Sequence, residues 1–282
     1  MDNIFDLHLD LKNKTYRHGG YHAFNISDPK PRNIHKAIIR DRLLHHAVYR
    51  VLYPYFDKRF THDSYSCRLN KGTHKATNQF QRYFWKVSRN NTRTCWVLKC
   101  DIRKFFASID HSVLLRILEK HIADENIISL LKIIIKSFYS TKLGKGLPLG
   151  NLTSQLLVNI YMNEFDQYTK HKLKVKYYIR YADDFAILSE DIEYLQELLS
   201  KIGIFLGKNL KLLLHPDKVF IQTFASGVDF LGWVHFPNHR ILRTTTKRRI
   251  FKKLSIHSST ESVASYRGFL RYGNTYNIRV KI

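Results

Sequence analysis

The segment Tyr177–Glu190 (YYIRYADDFAILSE) constrains this chain more than any other. It sets two runs of aromatic and branched residues, Tyr177–Tyr181 and Phe185–Leu188, on either side of Ala182-Asp183-Asp184. Such runs favour strands, and so short a gap predicts a tight hairpin with two adjacent carboxylates at its tip. Aspartate is also a common turn former, so the hairpin by itself declares no chemistry. A second apolar run, Trp96–Ile102, carries Asp101 near its end, where aspartate is disfavoured in a strand. If the two segments neighbour one another in a sheet, Asp101, Asp183 and Asp184 converge. Three carboxylates that close repel one another and raise their pKa values unless a cation sits among them. Oxygen-only ligands of this kind suit Mg²⁺, with Mn²⁺ as the alternative, leaving positions for water and substrate phosphate. Two-metal phosphoryl or nucleotidyl transfer is the chemistry that uses such a site.

The charge points the same way. Lys+Arg number 47 against 23 Asp+Glu, a net +24, which predicts a polyanionic partner, nucleic acid first. An anionic membrane surface is the competing partner, but there is no long basic amphipathic helix to serve it. No apolar run reaches the length of a membrane span, and the N-terminal MDNIFDLHLDLK does not read as a signal peptide. Cys67, Cys95 and Cys100 form no CxxC, so a reducing cytoplasm with free thiols is expected. The 15 histidines fall in no HExxH or Cys/His cluster and read as structural or phosphate-adjacent. The 17 Tyr and 18 Phe offer stacking surfaces for bases, though most belong to the core.

Along the chain, residues 1–33 are basic and irregular, with HGG at His18–Gly20 and DPKP at Asp28–Pro31 as breakers. Asn33 is expected to cap a helix with Ile34, Ile38, Leu44, Val48 and Leu52 on one face, ending at Pro54. Arg68, Lys71 and Gly72 lie in a polar loop before a helix from about Thr73. Such a loop can hold phosphates but lacks the Walker spacing. Asp110-His111-Ser112 opens a helix to about His121, and Asn126–Tyr139 forms another. Gly144–Gly150 is a loop or hairpin, followed by a helix from Leu152 that Asn151 or Thr153 could cap. Asp191–Gly207 is an amphipathic helix, and strands are expected at Lys211–Leu214, Val219–Phe224 and Phe230–Phe236. Arg240–Lys253 carries seven basic residues and no acid. It reads as a solvated face or, better for its density, a surface tracking a nucleic-acid backbone. The element order predicts one α+β body with an antiparallel sheet and helices on one face.

With these residues in hand, the chain resembles reverse transcriptases from about Ile34 to Tyr276. YADD at Tyr181–Asp184 is similar to the YxDD signature of that superfamily, DIRKFFASIDH at Asp101–His111 to its first palm motif, and FLGW at Phe230–Trp233 to the segment near the primer end. GLPLGNLTSQ (Gly146–Gln155), HDSYSCRLNKGTH (His62–His74), LHPDK (Leu214–Lys218) and GNTY (Gly273–Tyr276) resemble the diversity-generating retroelement class. Group II intron enzymes are the next relatives, but the stretch after Trp233 leaves no space for their maturase and endonuclease regions. The VTG tripeptide of retron enzymes is not seen.

The resemblance implies a right-hand polymerase fold with N-terminal extension and fingers at 1–95 and palm at 96–243. A fingers/palm segment at about 122–155 interleaves, and a short basic thumb occupies 244–282. It implies that Asp101, Asp183 and Asp184 are catalytic, with Asp101, Asp183 and the Ile102 carbonyl on two Mg²⁺ ions and Asp184 a less direct ligand. Phe106 would exclude a ribose 2′-OH, Arg68 and Lys71 would neutralise triphosphate, Gln155 would lie against the nucleotide, and Lys218 near the leaving pyrophosphate. Gly232, Arg240, Arg243, Lys247, Arg248 and Arg249 would contact template and primer. The implied partners are template RNA, cDNA or primer, dNTPs and a small basic oligomeric accessory protein, in a bacterial, archaeal or phage-encoded setting. An intron-type or antiphage-type enzyme, and a non-catalytic nucleic-acid scaffold, are the alternatives.

Overall fold

The computed structural model of the protein describes residues 2–27, 31–256 and 259–281, so all of the Asp28–Pro31 breaker but Pro31 lies outside the described residues. In order, the elements are α1 (Asp2–Lys12), β1 (Tyr21–Ile26), β2 (Arg32–Ala37), α2 (Ile39–Asp57) and α3 (Thr73–Val87). β3 (Trp96–Asp101), α4 (Phe105–Ser108), α5 (His111–Glu119), α6 (Glu125–Lys136) and α7 (Leu152–Gln167) follow. Then come β4 (Tyr178–Tyr181), β5 (Asp184–Ser189), α8 (Ile192–Leu210) and β6 (Phe220–Thr223). The chain closes with β7 (Val228–Phe230), β8 (Trp233–His235), β9 (Arg240–Leu242), α9 (Thr244–Ile256), α10 (Thr260–Leu270) and α11 (Tyr276–Arg279).

The central sheet is antiparallel, in the order β4-β5-β3-β6. Side chains alternate across its faces. Leu98, Cys100, Phe185 and Ile187 pack on one face with Leu114 of α5, Tyr161 and Phe165 of α7, and Leu195 and Ile202 of α8. Val97, Ala186, Leu188 and Ile179 form the other face, where Phe80 and Phe84 of α3 meet Phe224 and Phe230. The expectation of helices on one face is therefore corrected. The strands are apolar on both sides, and α3 with the β7–β8 hairpin covers the second face. Aspartates hold the helix starts: Asp110 accepts from Val113 N–H, Asp124 from Asn126 and Ile127 N–H, and Asp191 from Tyr194 N–H, each filling a donor the first helical turn leaves open.

Several local expectations change. Asn33 caps nothing; it lies in β2, opposite Asn25 in a β1–β2 hairpin, and the helix starts only at Ile39. That helix runs through Pro54, which falls in its last turn, where a missing N–H removes only one ladder bond. Asn151 occupies the cap position of α7 without bonding to it. Its amide instead joins β2, accepting from Ala37 N–H and donating to the His35 carbonyl. Lys211–Leu214 contributes a single bridge, Leu214 with Ile102. Phe230–Phe236 is broken at Leu231-Gly232, both at positive φ (54° and 87°), the requirement of a type I′ hairpin turn. The returning β8 then pairs with β9, which lay hidden inside the basic tract.

Candidate active site

β3 and β5 run antiparallel in a register that sets Asp101 directly opposite Asp184. Opposed residues share a face, with Cβ atoms about 5 Å apart, so two carboxylates distant in sequence project together at the sheet's end. The hairpin register pairs Tyr181 with Asp184, which leaves Ala182-Asp183 as the turn and Asp184 as the first residue of β5. Asp183 thus sits at the tip and Asp184 one step inside it.

Cations surround the trio. Lys99, two residues before Asp101 and on the same face, is only 8% exposed, with Nζ 2.9 Å from Asp184 Oδ1. It makes an ionic contact there without the alignment of a hydrogen bond. Lys218, in a 3₁₀ turn at Pro216–Lys218, donates to Asp101 Oδ1 at 3.0 Å. Burial raises the Asp184 carboxyl to about 6; Lys99 opposes the rise, and Asp183 and Asp101 add to it. Asp183 is raised by burial and by Asp101, against Lys218 and Arg32. Arg32 belongs to β2, whose His35 N–H bonds the Leu149 carbonyl, so the N-terminal hairpin is seated over the glycine-rich loop.

The Asp101 carbonyl accepts from His215 N–H and the Leu213 carbonyl from Arg103 N–H, flanking the Ile102–Leu214 bridge. Carbonyls alternate in direction along an extended chain, so Ile102 C=O turns to the opposite side, toward the Asp183 turn. Among the described residues no group of three acidic, His or Cys side chains closes into a cage. An open, all-oxygen set in which burial, helped by neighbouring carboxylates, raises Asp183 and Asp184 suits a hard divalent cation that keeps water and phosphate ligands. The donors present therefore fit Mg²⁺ or Mn²⁺.

Phe106 lies on the short α4, half-buried and edge-on to Phe105 at 5.6 Å between centroids. Its carbonyl holds Leu147 N–H, linking the Asp101 segment to the loop that leads into α7. Gln155 is half-buried on α7 among buried neighbours. Arg68 departs from expectation. Nε donates to Asp57 Oδ1, Nη1 to the Thr61 and Ser64 carbonyls, and Nη2 to the Asp57 carbonyl. With four of its five N–H directions committed, it staples its own loop and does not present a free fork to a triphosphate. Lys71 keeps donors to offer: Nζ gives one hydrogen bond, to the His62 carbonyl, above the Tyr65 ring.

The basic tract divides similarly. Arg240 donates to the Tyr272 carbonyl and lies over Trp233, and Arg243 pairs with Asp229, so both anchor the C-terminal helices. Lys247 and Arg248 are exposed on α9, whereas Arg249 is half-buried. Gly232 forms the β7–β8 turn, and its carbonyl accepts from Arg243 N–H. Lys99 was missed in the sequence; its signal was a lysine alternating with Asp101 on an otherwise apolar strand.

Residues 27–235 match the reverse transcriptase (RNA-dependent DNA polymerase) family. Protein YkfC of Escherichia coli is 26% identical over 259 residues, covering 78% of this chain and 66% of that protein. The group II intron-encoded protein LtrA of Lactococcus lactis subsp. cremoris is 24% identical over 293 residues, covering 78% of this chain and 47% of LtrA. The chain thus spans somewhat less than two thirds of YkfC and under half of LtrA. Among solved structures, a C-terminally truncated apo telomerase from Candida tropicalis superposes with a TM-score of 0.61 at 11% identity, over 86% of this chain and 60% of that one. Telomerase from Candida albicans with the TWJ fragment of telomeric RNA gives 0.58 at 13% identity, over 92% and 51%. These likenesses establish the right-hand polymerase fold. With the family signature covering most of the chain and its acidic motifs meeting at one sheet end, the chain belongs to the reverse transcriptase (RNA-dependent DNA polymerase) family.

Proposed function

We propose that this protein is an RNA-directed DNA polymerase. The observation that carries the reading is the Asp101–Asp184 register, which joins two acidic motifs at one end of the central sheet of a basic protein. A carboxylate cluster in a groove that must accept phosphates is repulsive unless a divalent cation intervenes, so the +24 charge and the acidic centre together favour catalysis over a passive scaffold. Asp101, Asp183 and the Ile102 carbonyl would hold Mg²⁺, with Asp184 behind them on Lys99. A metal held there would supply a lower pKa for a primer 3′-OH and would neutralise charge growing on the triphosphate.

The protein's own groups do the rest. Lys218, which donates to Asp101, would serve the leaving pyrophosphate. Phe106 closes the sugar side of the pocket against a 2′-OH, and Gln155 faces the incoming nucleotide. Lys71 supplies charge to the triphosphate. Lys247 and Arg248 track the template–primer backbone. In this reading residues 1–95 supply the N-terminal extension and fingers, 96–243 the palm with the 122–155 insertion, and 244–282 the thumb.

Within that activity we favour the diversity-generating role, in which a template-repeat RNA is copied with errors at adenines with the help of a small basic accessory protein. The SQ of GLPLGNLTSQ and the GNTY segment support it. An intron-type client is the second reading, supported by the likeness to the group II intron-encoded protein LtrA and to a putative COX1/OXI3 intron 2 protein of Saccharomyces cerevisiae. Primer extension on RNA with dNTPs and Mg²⁺ tests the activity: wild type extends and Asp183→Ala does not. Full extension by Asp183→Ala sinks the site. Sequencing the cDNA separates the clients, since substitutions concentrated opposite template adenines favour diversification and faithful copies favour the intron reading.

A further inference from the structure

Arg180 is fully buried on β4, opposite Phe185 and so on the face of the sheet away from the carboxylates. From behind, its guanidinium reaches several separate segments. Nε and Nη2 grip both oxygens of Asp166 on α7, at 2.7 and 2.6 Å. Nη2 also donates to Ser64 Oγ at 3.0 Å, and Nη1 to the Ala182 carbonyl at 3.0 Å. Tyr178 OH completes the Asp166 oxygens at 2.6 Å. The Arg180 main chain is bound as well: its N–H bonds the Asp63 carbonyl and its carbonyl accepts from Tyr65 N–H.

Two features make this more than a core ion pair. A buried pair is a weak stabiliser, often replaceable by apolar residues of similar volume without loss, so stability alone gives little reason for it here. The turn it touches needs holding: Ala182 sits at φ 56°, a region where alanine is uncommon and where a two-residue hairpin of this kind prefers glycine. Fixing the Ala182 carbonyl fixes the plane of the Ala182–Asp183 peptide, and with it the direction in which Asp183 leaves the backbone.

We propose that Arg180 is a positioning residue for Asp183, aiming the carboxylate through the Ala182 carbonyl and tying that turn to the loop that carries Lys71. This rests on the polymerase reading for its kinetic consequence, but not for its effect on metal affinity. Arg180→Lys keeps the charge beside Asp166, yet one ammonium cannot grip both Asp166 oxygens and the turn carbonyl. The double change Arg180→Met with Asp166→Leu removes the pair while conserving apolar volume, so at least one folded variant lacks the Ala182 contact.

The test measures three things on the full chain: folding by circular dichroism and thermal melting, Mn²⁺ affinity by electron paramagnetic resonance, and kcat and KM for dNTP on an RNA template. We expect folded variants with Mn²⁺ affinity about tenfold weaker, kcat lower by about 100-fold and KM within about twofold. A folded variant with wild-type Mn²⁺ affinity and kcat would make Arg180 merely structural. If wild type binds Mn²⁺ but extends no primer, the polymerase reading fails while the affinity arm still decides the role of Arg180.

Discussion

Replacing Asp184 with Asn should make the metal-free protein more stable at neutral pH while removing activity. The Asp184 carboxyl is raised from 3.8 to about 6. A difference of that size corresponds to roughly 3 kcal/mol by which ionisation destabilises the native state. The side chain is 20% exposed, so solvent screening reduces this only in part. The shift is already net of the attraction from Lys99, 2.9 Å away, so screening is the main discount, and a net increase of about 1–2 kcal/mol is expected.

The sign follows from linkage. Between 3.8 and about 6 the native state binds a proton that the unfolded state has released, so the wild-type free energy of unfolding falls as pH rises across that window. Above it the penalty is complete; below it the penalty is gone. Urea titrations in EDTA at pH 7.5 and pH 4.5 measure the difference. The advantage of Asp184→Asn should be largest at pH 7.5 and fall to about a third of that at pH 4.5, inside the window, and Mg²⁺ should stabilise wild type more than the variant. A variant no more stable at pH 7.5, or one whose advantage persists unchanged at pH 4.5, would refute the claim that burying a carboxylate beside two others strains this site.

Two further outcomes are expected. A Cβ on Gly273 would lie 2.1 Å from the buried Trp233 ring, so Gly273→Ala should cost about 1–3 kcal/mol by overpacking, read as a lower melting temperature; an unchanged melt would mean the GNTY segment does not pack on FLGW. Replacing both Lys247 and Arg248 with Gln should weaken template binding and reduce the slope of log K against log salt by about 1.5, measured by fluorescence anisotropy at several salt concentrations, and an unchanged slope would assign both charges to water.

Much of the site could be read before any coordinate was known, because its residues violate local rules. Aspartate ending an apolar strand and aspartates beside a strand–turn–strand pattern signal function at short range. Lys218 could be placed only through its motif, and the structure sets it on Asp101. Arg68 is expected on a triphosphate from its motif alone, whereas its reach to Asp57 and the Thr61 carbonyl depends on how the loop folds back on the end of α2. Residues 1–33 are not irregular throughout, since Asp2–Lys12 is helical, its Leu7 packed with Leu44 of α2. β1, β2 and β9 escape a local reading because short polar strands carry no apolar alternation and exist only through the partners they pair with.

By itself the sequence determined the composition of the centre, the helices whose apolar period and aspartate caps are local properties, and the basic character of the surface. Tertiary structure alone decided which charges meet. Strand register brings Asp101 to Asp184, and packing from opposite sides of one sheet places Lys99 before that pair and Arg180 behind the turn. Those encounters depend on distances through space between segments far apart in the chain, which no pattern of neighbouring residues encodes.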